Sequence, residues 1–226
     1  MYKQIEILNK EKSKSLKVDE IVGFEFCSDL TNSPISISEF REASKYFPIV
    51  FIKNNDEYSA VVVLGLDKNE FVKDNKWEEN TYIPAYIRRY PFIFVKGQKD
   101  LFLAIDKSCK AVNKRKGKSL FTRDGENSEY LNSVIKFLED YQKDITLTSS
   151  IIRQFDELGL LEDASLSKDN APILKGFKKI NEKKLLELDD AKLSAMVRNG
   201  VYRAIVYHLD SLENFAKVVK WKRDTY

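Results

Sequence analysis

Few of the residues that usually build catalytic and metal centres occur in this chain. Its 226 residues include one histidine, His208, and two cysteines, Cys27 and Cys109. A single histidine excludes any site that needs two, the HExxH zinc arrangement among them, so a metal site would have to be built from carboxylates. Neither cysteine lies in a CxxC, and a chain of this size needs no disulfide in a reducing compartment, so both read as buried or incidental thiols. The eight glycines form neither a GxGxxG nor a GxxxxGK(S/T) pattern, which leaves a glycine-rich phosphate cradle unsupported. Neither a metal nor a cofactor is expected.

Long apolar runs are missing as well. Stretches such as Ala60–Leu66 reach only seven residues, whereas a spanning helix needs roughly 20, so no membrane span is expected. Asn9 to Lys17 is mostly charged or small and polar, without the apolar segment of a secretory signal, and the chain reads as cytoplasmic. Charge of one sign is not in excess: 38 Lys and Arg stand against 35 Asp and Glu, which provides no global field for nucleic acid or anionic membrane.

What is present is a core. The chain is 43% apolar, enough to fold alone. Ser36 with Glu39 forms a capping box and Ile35 with Phe40 a hydrophobic staple, predicting a helix over about 37–46 that Pro48 stops. Pro48–Lys53 and Tyr58–Leu66, separated by Asn54-Asn55-Asp56, predict a hairpin; Phe92–Val95 and Leu101–Ile105, around Lys96-Gly97-Gln98, predict a second. The continuous apolar character of Val50–Ile52 and Phe92–Val95 predicts strands covered on both faces, in one largely antiparallel sheet.

From Ser128 onward the apolar period becomes helical. One helix begins at Ser128 and a second, capped at Ser149-Ser150, ends at Gly159; Asp189 opens a further helix that Asn199-Gly200 ends, and Val201–Val219 predicts one long last helix fraying over Lys220 to Tyr226. Ser165–Lys179 reads as irregular, with Ile173–Phe177 as a short strand. The fold class is therefore α+β, with a sheet region over 1–127 and a helical region over 128–226 packed on it, within one domain or two.

The densest cluster of recognition-type side chains is Tyr82-Ile83-Pro84-Ala85-Tyr86-Ile87-Arg88-Arg89-Tyr90-Pro91-Phe92. Pro84 suits a first helical turn and Pro91 forces the exit. On such a helix Tyr82, Tyr86 and Tyr90 share a face, while Arg88 and Arg89 diverge by about 100°. Two readings follow. An arginine with Tyr86 or Tyr90 grips a carboxylate, phosphate or sugar hydroxyl; alternatively the tyrosines fill the boundary between helix and sheet and an arginine pairs with Asp106 or Glu42. Asp106, closing a strand, is the candidate partner or lone catalytic carboxylate. Lys107 to Arg123 holds seven basic residues and no acidic one, reading as an exposed loop or mobile hairpin that lacks aromatics for base stacking until Phe121. His208, on the apolar stripe of the last helix, reads as a buried or rim histidine bonded to a neighbour.

That cluster also carries a family resemblance. With Phe40-Arg41-Glu42-Ala43, Tyr46–Phe51, Val63–Leu66, Trp77, Ile105-Asp106, Leu158–Glu162 and Tyr207-His208-Leu209, it resembles the SapC-like family of soluble bacterial proteins associated with surface-layer protein loci, over about residues 20–218. The resemblance implies an accessory role in producing or exporting surface-layer protein and supplies no catalytic residues. The peptide-transporter permease of the same name is a different expectation, which the lack of a spanning stretch argues against. Three functions are thus open. The first is a binding protein for an exported partner or small anionic ligand. An enzyme using Tyr82, Tyr86, Arg88, Arg89, Tyr90 and Asp106 is the alternative, and nucleic-acid binding through residues 107–123 is a distant third. The oligomeric state is open.

Overall fold

The computed structural model describes residues 1–98, 100–169 and 171–223, with side chains described through Trp221. In chain order the elements are β1 (Ile5–Ile7), β2 (Lys17–Val18), β3 (Asn32–Pro34), α1 (Phe40–Ala43), β4 (Ile49–Asn54), β5 (Glu57–Val63), β6 (Val72–Lys73) and β7 (Lys76–Trp77). Then come α2 (Ala85–Arg88), β8 (Phe92–Lys96), β9 (Leu101–Asp106), β10 (Val112–Asn113), β11 (Lys118–Ser119), α3 (Glu129–Glu157), β12 (Leu161–Lys168), β13 (Ala171–Ile180), α4 (Glu182–Leu186), α5 (Asp190–Arg198), α6 (Val201–Ser211) and α7 (Phe215–Arg223). The class is α+β, and all strand pairing between these elements is antiparallel.

Both predicted hairpins form, but they lie in different sheets. The β4–β5 hairpin sits inside a five-stranded sheet of order β12-β13-β4-β5-β3, and the β8–β9 hairpin belongs to a three-stranded sheet of order β1-β9-β8. Asn55 and Asp56 turn the first hairpin with φ of 48° and 66°, a left-handed conformation that Asn and Asp tolerate better than most residues. The larger sheet is covered on both faces, as its continuous apolar strands require. Ile49, Phe51, Ala60 and Val62 join a core with Phe155 of α3 and Ile205 of α6. Val50, Val61 and Val63 face Val218 of α7. The smaller sheet departs from expectation. Phe92 and Ile105 pack on Leu131 and Leu138 of α3, whereas Ile93 and Val95 on the opposite face are only half-buried.

Three boundaries differ from the sequence reading. The first predicted helix is a 3-10 turn over Ile37–Glu39 followed by the single turn of α1. The two helices expected around Ser149-Ser150 are one: α3 runs 29 residues without interruption, Ser128 caps it by accepting from the Leu131 amide, and Ser150 instead donates to the Leu147 carbonyl. Nothing between 129 and 157 is glycine or proline, so the polar stretch in its middle stays helical where it faces solvent. Gly159, at φ 67°, ends it as predicted. The expected long last helix is α6 and α7 joined by a 3-10 turn at Leu212–Asn214; residues 224–226 lie outside the described residues.

Ser165–Lys179, expected to be irregular, lies in the long β12–β13 hairpin, Asn170 being outside the described residues. Its register shifts at Ala164/Ser165 and Leu166/Ser167 break the two-residue alternation by which a strand is recognised. Through Lys178 opposite Phe51, β13 joins β4, so residues beyond 127 complete the main sheet as well as supplying helices. His208 closes this junction: its Nε2 accepts from the Ile180 amide at 3.1 Å and its ring stacks on Phe51 at 4.5 Å.

Candidate functional site

The family-type segment folds around a carboxylate that sequence reasoning assigned only to a cap. Glu39, 7% exposed, accepts at one oxygen from the Ser36 amide and hydroxyl, completing the capping box at 2.9 Å each. Its other oxygen accepts from the Tyr82 hydroxyl at 2.8 Å and from the Ala85 amide at 2.7 Å. Pro84 precedes α2, and the first amide of that helix is thus satisfied by a residue 46 positions earlier. Burial, and then Glu39, push the Tyr82 hydroxyl up to about 12. The exposed Arg88 returns over the same corner: its Nε donates to the Ile83 carbonyl and its Nη2 to the Tyr82 oxygen. Its guanidinium lies over the rings of Tyr82 and Phe137.

Arg89 points the other way, into a box of tyrosines. Its guanidinium lies 4.3 Å from the Tyr86 ring centroid, 5.1 Å from Tyr141 and 5.7 Å from Tyr2, and its buried Nε has no acceptor among the described residues. Ring faces attract a desolvated cation by up to about 2 kcal/mol. The expected pairing of Arg88 or Arg89 with Asp106 or Glu42 does not occur. Glu42 is paired at the surface with Arg41 and Lys45, and Asp106 is bound by other groups.

Asp106 is fully buried at the end of β9 and faces donors only. The Lys3 and Gln4 amides reach it at 2.9 and 3.0 Å, the Ser108 amide and hydroxyl at 2.9 and 2.7 Å, and the Tyr90 hydroxyl at 3.4 Å. Burial opposes its ionisation, but these hydrogen bonds outweigh it and hold the carboxyl below the ordinary range. Burial raises Tyr90, with Cys109 and Asp106 beside it adding to the shift. Both carboxylates are therefore tied into the fold, leaving neither a free proton acceptor for general acid–base chemistry.

Open space lies beside Tyr90. A cleft of about 810 Å³ has Phe26, Tyr90 and Cys109 among its lining, with Lys3, Lys110 and Arg115 also along it. Phe26 stacks on Tyr90 at 4.1 Å. Two cation–carboxylate pairs cross its rim, Lys116 with Asp19 and Lys110 with Glu25. Of the six residues singled out by sequence, Tyr90 alone lines the cleft; Tyr82, Tyr86, Arg88, Arg89 and Asp106 do not. The basic stretch 107–123 forms one wall and pairs with β2 through two short strands, while its charged side chains are largely exposed as expected. β10 and β11 flank β2, Cys109, Leu120 and Phe121 are buried, and Gly117, at φ 99°, passes so close to Val18 that a Cβ would lie 2.4 Å from its carbonyl oxygen.

A family model matches residues 8–218. The chain belongs to the SapC family. No curated protein and no solved structure matches it. In this SapC-family chain no group of three metal-ligating side chains occurs among the described residues, and no helix among them is long and apolar enough to cross a membrane. Glu39 and the aromatic partners Tyr2, Phe26 and Tyr141 are what sequence reasoning missed. The capping box announced one oxygen of Glu39; the partners of the other lie 43 and 46 residues away, beyond any local pattern.

Proposed function

We propose that this SapC-family protein is a non-catalytic accessory protein that binds polypeptide in the cytoplasm, and that its partner is a surface-layer or other exported protein rather than a substrate to be converted. The observation that carries this reading is the division of labour in the signature segment. Its titratable partners Glu39 and Asp106 are saturated by internal donors, while its exit at Tyr90 forms part of a wide cleft with an aromatic floor and mixed charge. A zwitterionic, partly apolar lining of that size suits a stretch of polypeptide. The sole histidine is buried with Nε2 engaged, so it offers no base to the cleft. An enzyme built on Tyr86, Arg88, Arg89 and Asp106 is disfavoured because those groups do not line this space.

The test is affinity capture from the native cytosol with tagged protein, comparing wild type with Lys110→Glu/Arg115→Glu at the cleft. The expected result is recovery of a protein destined for export, reduced about fivefold or more by the double substitution. Recovery of nothing specific, or a yield unchanged by the substitutions, overturns the reading.

A further inference from the structure

The three-stranded sheet ends in an open edge. Among the described residues β1 pairs only with β9. The Lys107 amide donates to the Gln4 carbonyl and the Leu8 amide to the Leu103 carbonyl, both at 2.8 Å. In an antiparallel ladder these bonds turn the main-chain groups of Gln4, Glu6 and Leu8 toward β9 and those of Ile5 and Ile7 outward. The two isoleucine side chains are 49% and 48% exposed, and register places them on the face that carries Phe102, 42% exposed, and the half-buried Ile93 and Val95. Ala104 and Asp106 on this face are buried, and among the described residues no helix side chain joins Ile93, Val95 or Phe102 in a hydrophobic cluster.

Edges that must stay unpaired are usually blunted by short length, charged side chains, proline or a bulge; β1 is three residues long with Glu6 at its centre, and the other devices are missing. Residues 4–8 contain no proline or lysine, and β1 keeps regular register with β9. We propose that β1 is an augmentation edge that takes an extended polypeptide segment with alternating apolar residues and acidic flanks. The outward N–H and C=O groups of Ile5 and Ile7 alternate along one line, a pattern that another extended main chain satisfies and that a lipid surface or a formed helix does not. Lys3 before the strand and Lys10 after it, the latter in an exposed 3.5 Å pair with Glu126 that a partner carboxylate would share, match acidic flanks. Lys3 also lines the cleft, so a segment on β1 is continuous with that site. The inference rests on the polypeptide-binding reading above and names the conformation in which the partner binds.

The experiment is fluorescence anisotropy of the full-length protein with the fluorescein-labelled heptapeptide DVTVTVD and two versions of it, N-methylated on one or the other alternating set of residues. Only alternate amides of an added strand face its neighbour. One methylated set should therefore abolish binding and the other preserve it, and Ile5→Lys/Ile7→Lys should weaken binding about tenfold with circular dichroism unchanged. No binding of the parent peptide, or equal binding of both methylated sets, overturns the inference. So does a wild-type dimer in light scattering that the double substitution dissolves, because a second copy would then own the edge. The two readings fail separately. Cytosolic capture that survives Ile5→Lys/Ile7→Lys removes the edge and leaves the accessory role. Peptide binding without specific capture does the reverse.

Discussion

At the residue scale, three buried polar groups divide the work. Glu39 joins the chain before α1 to the start of α2, Asp106 joins the N-terminal segment to the end of β9, and His208 joins α6 to β13 and β4. His208 has the sharpest consequence. Because Nε2 accepts from the Ile180 amide, its proton sits on Nδ1, on which only the Ile49 backbone acts, without good hydrogen-bond geometry. Burial drives its pKa from 6.5 down to about 3. Between those values the unfolded chain takes up a proton that the folded one refuses. The stabilisation is complete above pH 6.5 and is lost toward 3 at up to about 1.4 kcal/mol per pH unit. Asp106 is also depressed, from 3.8, so its own loss begins only lower. Urea titrations at stepped pH should show stability falling between 6.5 and 3.8. His208→Gln, which keeps an acceptor for the Ile180 amide, should flatten that range; an equal slope in the variant would count against this role. The sequence showed that His208 lies on an apolar stripe, but its bond to Ile180 depends on a strand that it concealed.

At the element scale, α3 holds the two sheets together. Its C-terminal half packs Ile151, Ile152 and Phe155 into the core of the larger sheet, and its N-terminal half packs Leu131 and Leu138 under the smaller. Thr148 accepts from the Ile37 amide and Asp144 from the Ser38 hydroxyl, fixing the helix to the turn before α1. Ser128 and Ser150 now carry opposite expectations. Ser128→Ala removes the N-cap acceptor and should cost about 1 kcal/mol. Ser150→Ala removes only a bond back to the Leu147 carbonyl and should change stability by less than about 0.5 kcal/mol in either direction. Comparable losses from both substitutions, measured by urea unfolding, would mean that a helix start lies near 149 after all. The stripes at 130–141 and 151–158 were each legible in sequence. Their continuity was not, because polar residues between them suit a solvent-facing helix and a loop alike.

At the scale of the whole molecule, the parts before and after residue 127 share one framework. β13 pairs with β4, and Asn214 donates to the Ser44 and Phe47 carbonyls. Phe71 lies between Trp77 and Trp221, 5.9 and 5.7 Å from them. Tryptophan fluorescence therefore reads the earlier and later parts of the chain together. We expect one unfolding transition, coincident in fluorescence and far-ultraviolet circular dichroism, and no cooperative folding of residues 1–127 alone, whose larger sheet would lack β12, β13 and the helices over both faces. Two separated transitions, or a folded 1–127 fragment, would restore the boundary that the change of apolar period suggested.

The sequence by itself determined the α+β class, the two apolar hairpins, the caps at Ser36 and Asp189, the helix onset at Ser128, the glycine stop at 159, and the family, because each rests on residues within a few positions of one another or on a continuous string. Tertiary structure decided what those pieces touch. It put the hairpins in separate sheets, made a broken polar stretch into the edge strand β12, enclosed Arg89 in tyrosines rather than beside a carboxylate, and left Tyr90 as the one signature side chain at the cleft. Those outcomes depend largely on partners far along the chain, Tyr2 and Tyr141 around Arg89 and Phe26 on Tyr90, a separation at which one chain's pattern of polar and apolar residues carries no record of which face meets which.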